Sequence, residues 1–379
     1  MSSSDGLKER EKFLKLKKNL YSSFKSKNFN KEFVGKSNSI FVGSYNYPDV
    51  NLGILSAENY NYNDDINFWV KNNLSISNIA EKRFNLINSK KPLNVSEASS
   101  LSSEQEIALS KREVQVEMSL DKVSSNFNFS SVEMPTGPSA TLKNFNLVEN
   151  SKIPTKVESI ISDDLTASDM LLKLNKSFET SYLVQALSSG SLGFDKKLVP
   201  TKWPITAVDS LLSKNLKSVL KDNKLSGNFI FRGDYLGNYF LILFLEGPIS
   251  FELMEFYNGK LVSDFEGIND SGNSAKNTKG AFYASKLSVF EYMKEQKIQS
   301  QVIILRFITD EYYLPLGVWV VREGVKKVFE TSKINFSDET LLYNFVKIYS
   351  KKKFNIDLSN FEKLSDLIKN RSQKTLSDF

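Results

Sequence analysis

An α+β fold, with a central and largely antiparallel sheet flanked by helices, is what the sequence predicts, and three observations predict it. Asn228 to Tyr257 holds three apolar runs, Asn-Phe-Ile-Phe, Asn-Tyr-Phe-Leu-Ile-Leu-Phe-Leu and Ile-Ser-Phe-Glu-Leu-Met-Glu-Phe-Tyr. Gly-Asp and Glu-Gly-Pro part them, which is the pattern of a three-strand antiparallel meander. Stretches with helical spacing stand on both sides of it, at Leu165 to Ser188, Ala284 to Gln296 and Leu341 to Lys352. The chain of 379 residues is 40% hydrophobic and 12% aromatic, enough apolar surface for one large or two moderate cores, and it carries no internal repeat.

Taken in order, Leu7 to Tyr21 is charged, and the pairs Leu7 with Leu14 and Phe13 with Leu20 sit seven apart, so a helix is expected. Between Met1 and Lys36, ten Lys or Arg face four Asp or Glu; this arm accounts for the whole formal charge of +6. Ser39 to Gly43 reads as a short strand, and Ser44-Tyr-Asn-Tyr-Pro-Asp-Val-Asn-Leu-Gly53 has the chemistry of an ordered turn. Asp64 to Val70 and Ser77 to Ile87 read as helices, and Ser89 to Ser103 as loop. Arg112 to Met118 alternates polar and apolar residues as a half-buried strand does, and Pro135 to Pro154 reads as a long surface crossing. Thr206 reads as the cap of a helix that Asp209 opens. The polar stretch Ser263 to Gly280 marks a divide near residue 270. Beyond it, Val302 to Phe307 and Val318 to Arg322 read as strands and Asn360 to Asn370 as the last helix, followed by a polar, flexible tail. The expected division is a basic N-terminal arm at 1–36, domains at 37–270 and 271–370, and a tail at 371–379.

The chain has no Cys and no His, which removes disulfides, cysteine or histidine zinc sites, thiol nucleophiles and imidazole general bases. No run of 18 apolar residues and no signal-peptide core are present, so a cytoplasmic protein with no membrane partner is expected. Lys12, Lys15, Lys17 and Lys18 are the candidate DNA-binding residues, since each phosphate contact releases counterions; the plainer alternative is a solvated helix face.

Several long segments stand in one order along nearly the whole chain: Phe41-Val-Gly-Ser-Tyr-Asn-Tyr-Pro-Asp-Val-Asn-Leu-Gly53, Leu187-Ser-Ser-Gly-Ser-Leu-Gly193 and Leu198-Val-Pro-Thr-Lys-Trp-Pro-Ile-Thr-Ala-Val-Asp209, then Tyr235 to Phe240, Gly247 to Met254 and Leu314 to Gly324. Together they resemble the archaeal Nre family of DNA repair proteins. The resemblance implies a role in the response to DNA damage and a C-terminal peptide that binds the sliding clamp (PCNA). Some members carry an N-terminal zinc finger; this chain, without Cys or His, is similar to the branch that lacks it and needs no cofactor. The tail Gln373-x-x-Leu376-x-x-Phe379 resembles a clamp-binding PIP motif, in which a tight turn brings Leu376 and Phe379 onto one face while the Gln373 amide makes polar contacts. Such a pattern arises by chance at about one position in a thousand. Gln301-x-x-Ile304-x-x-Phe307 also fits it, but lies in an expected buried strand.

No catalytic residue is identified. Asp163, Asp164, Asp209, Glu252, Glu255 and Glu323 would serve a Mg2+-dependent nuclease only if at least three of them converged. Arg306, Arg322 and Glu323 lie in or beside apolar runs, where a structural Arg–Glu pair is the first expectation and a phosphate-binding Arg the second. Tyr45, Tyr47, Trp203 and Trp319 are either packing anchors or stacking platforms for unpaired bases. The leading expectation is a clamp-recruited repair factor that also contacts DNA and other repair proteins; the alternatives are the nuclease and a protein-only adaptor.

Overall fold

The computed structural model describes residues 8, 10–11, 13–15, 17–19, 32–61, 63–124, 133–270 and 275–372. Two compact units divide the chain, one of Glu11–Val208 with Leu314–Gly317, the other of Met1–Arg10, Asp209–Tyr313 and Val318–Phe379.

In the first unit, the described residues of the arm between 11 and 19 are helical. Phe13 is buried there, with its ring 6.5 Å from that of Phe84. Five strands follow: β1 (Glu32–Val42), β2 (Asp49–Ala57), β3 (Ile87–Asn94), β4 (Val114–Ser124) and β5 (Ser139–Leu147). They close into a barrel in the order β1-β2-β3-β5-β4. All neighbours are antiparallel except β3 and β5, which are parallel. β1 serves two partners: Glu32 to Ser37 pair with β4, Lys36 to Val42 pair with β2, and a bulge between Ser37 and Ser39 separates the two registers.

Inward residues Ile40, Val42, Leu52, Ile54, Val116 and Leu142 fill the barrel core. Leu101, Ile107 and Ala108 join that core from the connection between β3 and β4, which opens with a 3-10 turn (Val95–Ser100). Two short helices, α1 (Ile66–Lys71) and α2 (Ile76–Phe84), stand between β2 and β3, capped by Asp65 and Ser75. The β3–β4 connection ends in α3 (Ser102–Leu109), and α4 (Thr155–Ile161), α5 (Ala167–Leu174) and α6 (Thr180–Ser188) follow the barrel. This strand order, with a helical connection between the third and fourth strands, is that of oligonucleotide/oligosaccharide-binding (OB) barrels.

Two expectations fail in this unit. Ser89 to Ser103 is not a loop: Ile87-Asn-Ser-Lys-Lys-Pro-Leu-Asn94 is a strand. Its polar sequence hides this, because β2 and β5 supply backbone partners on both sides. Pro135 to Pro154 is likewise interrupted by β5, whose burial alternates only over its first residues.

The second unit is built on a six-stranded sheet ordered β10-β9-β12-β8-β7-β13. Its strands are β7 (Asn228–Tyr235), β8 (Asn238–Leu245), β9 (Ser250–Tyr257), β10 (Lys260–Glu266), β12 (Gln301–Ile308) and β13 (Ile334–Phe336); the short β6 (Lys224–Leu225) and β11 (Ile298–Gln299) pair with each other. Helix α7 (Lys202–Leu220) leads into this unit. One face of the sheet is met by α8 (Gly280–Gln296) and α9 (Trp319–Phe329), where Phe244, Tyr292 and Phe329 pack ring on ring. On the other, Leu243, Met254, Ile303 and Leu305 pack against α10 (Glu339–Phe354), α11 (Phe361–Leu364) and α12 (Asp366–Ser372) through Leu342, Val346, Phe361 and Leu367.

The three expected strands exist, but they are not a meander. β12 lies between β8 and β9, antiparallel to the first and parallel to the second. Val302 to Phe307 are buried, so this run gains most from a central position covered on both faces. Val318 to Arg322 is helical, the first turn of α9. Short apolar runs do not separate helix from strand by periodicity, and the later buried positions Val325 and Val328 complete a helical spacing with Val321. Thr206 is not a cap either: α7 starts at Lys202, and the Thr206 hydroxyl donates to the Trp203 carbonyl from inside its first turns.

Asp209 and Arg322 form a pair in which one guanidinium nitrogen donates to both carboxylate oxygens, at 2.7 and 2.6 Å. Both side chains are buried. Breaking such a pair strands the remaining charge, whereas replacing both partners by apolar groups does not. Asp209→Asn is therefore expected to cost about 3 kcal/mol in urea unfolding, and Asp209→Leu combined with Arg322→Met to recover most of it. Equal losses in the single and double variants would show that the pair is not what the site requires.

Candidate functional site

Three of the family-like segments meet in the first unit. Gly43 N donates to Asn51 O at 2.9 Å and Asp49 N to Asn46 O at 2.9 Å, closing the turn between β1 and β2. Asn46 adopts a left-handed φ of 62°, which its short polar side chain tolerates, and Val95 N ties the Pro48 carbonyl to the barrel at 3.0 Å. The second and third segments buttress this turn. Val42 N donates to Thr201 Oγ1 and Thr201 N returns a bond to Val42 O, both at 2.9 Å. Val199 N reaches Ser188 O at 3.1 Å, and the Gln185 amide engages both backbone groups of Ile40.

The result is a fixed turn with aromatic side chains directed outward. Tyr45 is 80% exposed, Tyr47 51% and Trp203 40%, and the rings of Tyr47 and Trp203 lie 5.0 Å apart at 59°. Trp319, grouped with them by sequence, is buried in the second unit with its ring 6.3 Å from that of Tyr235 and is a packing anchor. Lys202 adjoins Trp203 and acts on Glu133, whose carboxyl is pushed up by burial and drawn partly back by that ammonium.

The family-like segments of the second unit serve structure. Leu236 and Gly237, with φ of 48° and 73°, make the two-residue turn between β7 and β8, where a side chain on Gly237 would strike the Tyr312 backbone at 2.4 Å. Asn238 is buried and its oxygen accepts from Arg306 Nε at 2.9 Å, while Arg306 also pairs with Glu255. Glu252 is buried, its carboxyl pushed up by burial, and accepts from the Ser365 hydroxyl, Asp366 N at 2.9 Å and Leu367 N at 3.1 Å. It is thus the N-terminal cap of α12.

The carboxylates weighed for a nuclease are therefore dispersed. Asp209 and Glu255 hold arginines and Glu252 caps a helix. Asp163 reaches Lys173 at 3.1 Å, Asp164 is exposed, and Glu323 lies 3.9 Å from Lys326. Among the described residues no group of three could hold a metal ion. Arg306 and Arg322 are structural, as first expected, paired with Glu255 and Asp209. Of the basic arm, Lys15 and Lys18 are exposed and Lys17 partly so, whereas Lys12 lies outside the described residues, as do Gln373, Leu376 and Phe379. No described helix is long and apolar enough to cross a membrane.

The archaeal Nre N-terminal model matches residues 10–262 and the archaeal Nre C-terminal model residues 266–379. The chain belongs to the archaeal Nre family. It is 32% identical to DNA repair protein NreA of Haloferax volcanii over 78% of this chain and 77% of that one. It is 34% identical to DNA repair protein NreA of Archaeoglobus fulgidus over 77% and 78%. DNA repair protein NreB of the same organism is 28% identical over 90% of each chain. The Nre models part at residues 262 and 266, while the compact units part between Val208 and Asp209.

The aromatic turn was visible in sequence as an unusual loop and Trp203 as a candidate beside it, but their contact was not, since 156 positions separate Tyr47 from Trp203. The capping role of Glu252 had no sequence signal, because it acts on a helix 113 residues away. Glu252→Ala leaves the first amides of α12 without an acceptor. Amide hydrogen exchange of Ser365 to Lys369 is expected to speed up roughly fivefold, the factor for a lost cap of about 1 kcal/mol. Unchanged exchange there would remove Glu252 as the anchor of α12.

Proposed function

We propose that this Nre protein is a DNA repair factor recruited to the sliding clamp (PCNA) through Gln373, Leu376 and Phe379. The observation that carries this reading is the contrast between its two clamp-motif matches. In Gln301-x-x-Ile304-x-x-Phe307, Ile304 is 0% and Phe307 2% exposed in the central strand β12, where no partner can reach them. The other match begins one residue after α12 ends, and α12 is held to the body by Glu252 and by Arg371, which donates to Glu246 O at 3.0 Å. The names of the NreA and NreB relatives support the repair role.

Burying Leu376 and Phe379 would contribute roughly 1.5 to 3 kcal/mol each before ordering costs, consistent with micromolar affinity. Calorimetric titration of the full chain into the clamp of its own species is expected to show that affinity, and a chain ending at Ser372 to show no heat of binding. Equal binding by both, or by neither, overturns recruitment through the tail.

The basic arm is proposed to touch DNA phosphates through Lys12, Lys15, Lys17 and Lys18, with the docked Phe13 leaving Lys15 and Lys18 exposed. Neutralising Lys15 and Lys18 together should reduce the slope of log affinity against log salt on duplex DNA by about 2. A slope near zero in the unaltered protein favours the protein-only adaptor instead.

A further inference from the structure

We infer that the barrel of the first unit is a binding site for single-stranded DNA, centred on the β1–β2 turn and the outer face of β2 and β3. Barrels with this strand order bind strands across that face, but topology alone assigns no function, so the side chains must carry the site. Its walls are aromatic. Tyr45 and Tyr47 project from the turn, and Trp203 stands behind Tyr47. An exposed aromatic pair held on a turn fixed by backbone hydrogen bonds is costly to leave in water and needs no reorganisation to receive a flat ligand.

The floor is open. On the outward side, Phe41 of β1 is opposite Gly53 of β2, which is opposite Lys90 of β3. Phe41 is half-buried, and a side chain at Gly53 would strike Asn88 at 1.8 Å. Asn88 is 1% exposed, and its side-chain oxygen has no hydrogen-bond partner. The phosphate partner is Lys90: it is half-buried, burial lowers its pKa, and it forms no ion pair among the described residues. Lys202 supplies a second cation next to Trp203. The acidic groups nearby are Glu133, beside Lys202, and Asp49, whose carboxylate accepts from the Asn94 amide at 2.7 Å. Aromatic platforms beside lysines fit unpaired bases and their phosphates; duplex DNA has no free base faces to offer them.

The site is independent of the clamp tail, and its test contains no clamp, so either proposal can fail alone. Fluorescence anisotropy of labelled dT20 and of a 20-base-pair duplex would be measured with the full chain, the Tyr45→Ala/Tyr47→Ala variant and Lys90→Ala. The expected result is at least about tenfold tighter binding of dT20 than of duplex, and a loss of at least about tenfold for dT20 alone in the double Tyr variant. Lys90→Ala should weaken dT20 and reduce its salt slope by about 1. Both Tyr side chains are more than half exposed, so thermal unfolding of the double variant should match the unaltered protein. As a second readout, dT20 should quench Trp203 emission, since Trp69 and Trp319 are buried. Equal affinity for dT20 and duplex, or unchanged dT20 binding in the stably folded Tyr variant, would overturn the assignment.

Discussion

Strand β1 carries the constraint on which the first unit rests, because it must satisfy two neighbours at once. Its first half is committed to β4 and its second to β2, and the bulge at Ser37 to Ser39 allows one strand to serve both registers. Ser37 fills the gap by donating its hydroxyl to Leu55 O at 2.7 Å. Without that double pairing the sheet would have two open edges and no closed core. With it, the end of β1 is fixed, and the turn carrying Tyr45 and Tyr47 emerges from a closed scaffold.

The second unit applies a different economy, spending charged groups inside its core. Glu266 accepts from Lys217 at 2.9 Å and from Lys286 at 2.6 Å, and Lys217 also reaches the carbonyls of Gly267 and Asp270. Burial lowers the Lys286 pKa, and Glu266 offsets part of that effect. Together with Asp209–Arg322 and Glu255–Arg306, these contacts join elements that are distant in sequence, where apolar packing would be less selective of partner. Three of the carboxylates that looked like chemistry in the sequence, Asp209, Glu252 and Glu255, serve as counter-ions and a cap. Exposed on the first unit are the rings of Tyr45, Tyr47 and Trp203.

Much of this was legible in the sequence. The α+β class, β8 and β12 as buried strands, and α8 and α10 as helices follow from local periodicity, which survives wherever one face of an element is buried. The odd chemistry of Ser44 to Gly53 marked a particular turn, because Gly, Asn and Pro report backbone conformation directly. The family likeness was also readable, since its segments are long and keep their order.

Pairing was decided only by the tertiary structure. No local signal told β12 to separate β8 from β9, made a strand of Ile87 to Asn94, or turned Val318 to Arg322 into a helix; each outcome depends on which distant backbone or side chain completes the hydrogen bonds and the core. The same holds for the site. The sequence determined that the chain owns Tyr45, Tyr47, Lys90 and Trp203, but barrel closure and the bonds between Val42 and Thr201 place the turn against the start of α7, because a surface is a property of distances in space and not of spacing along a chain.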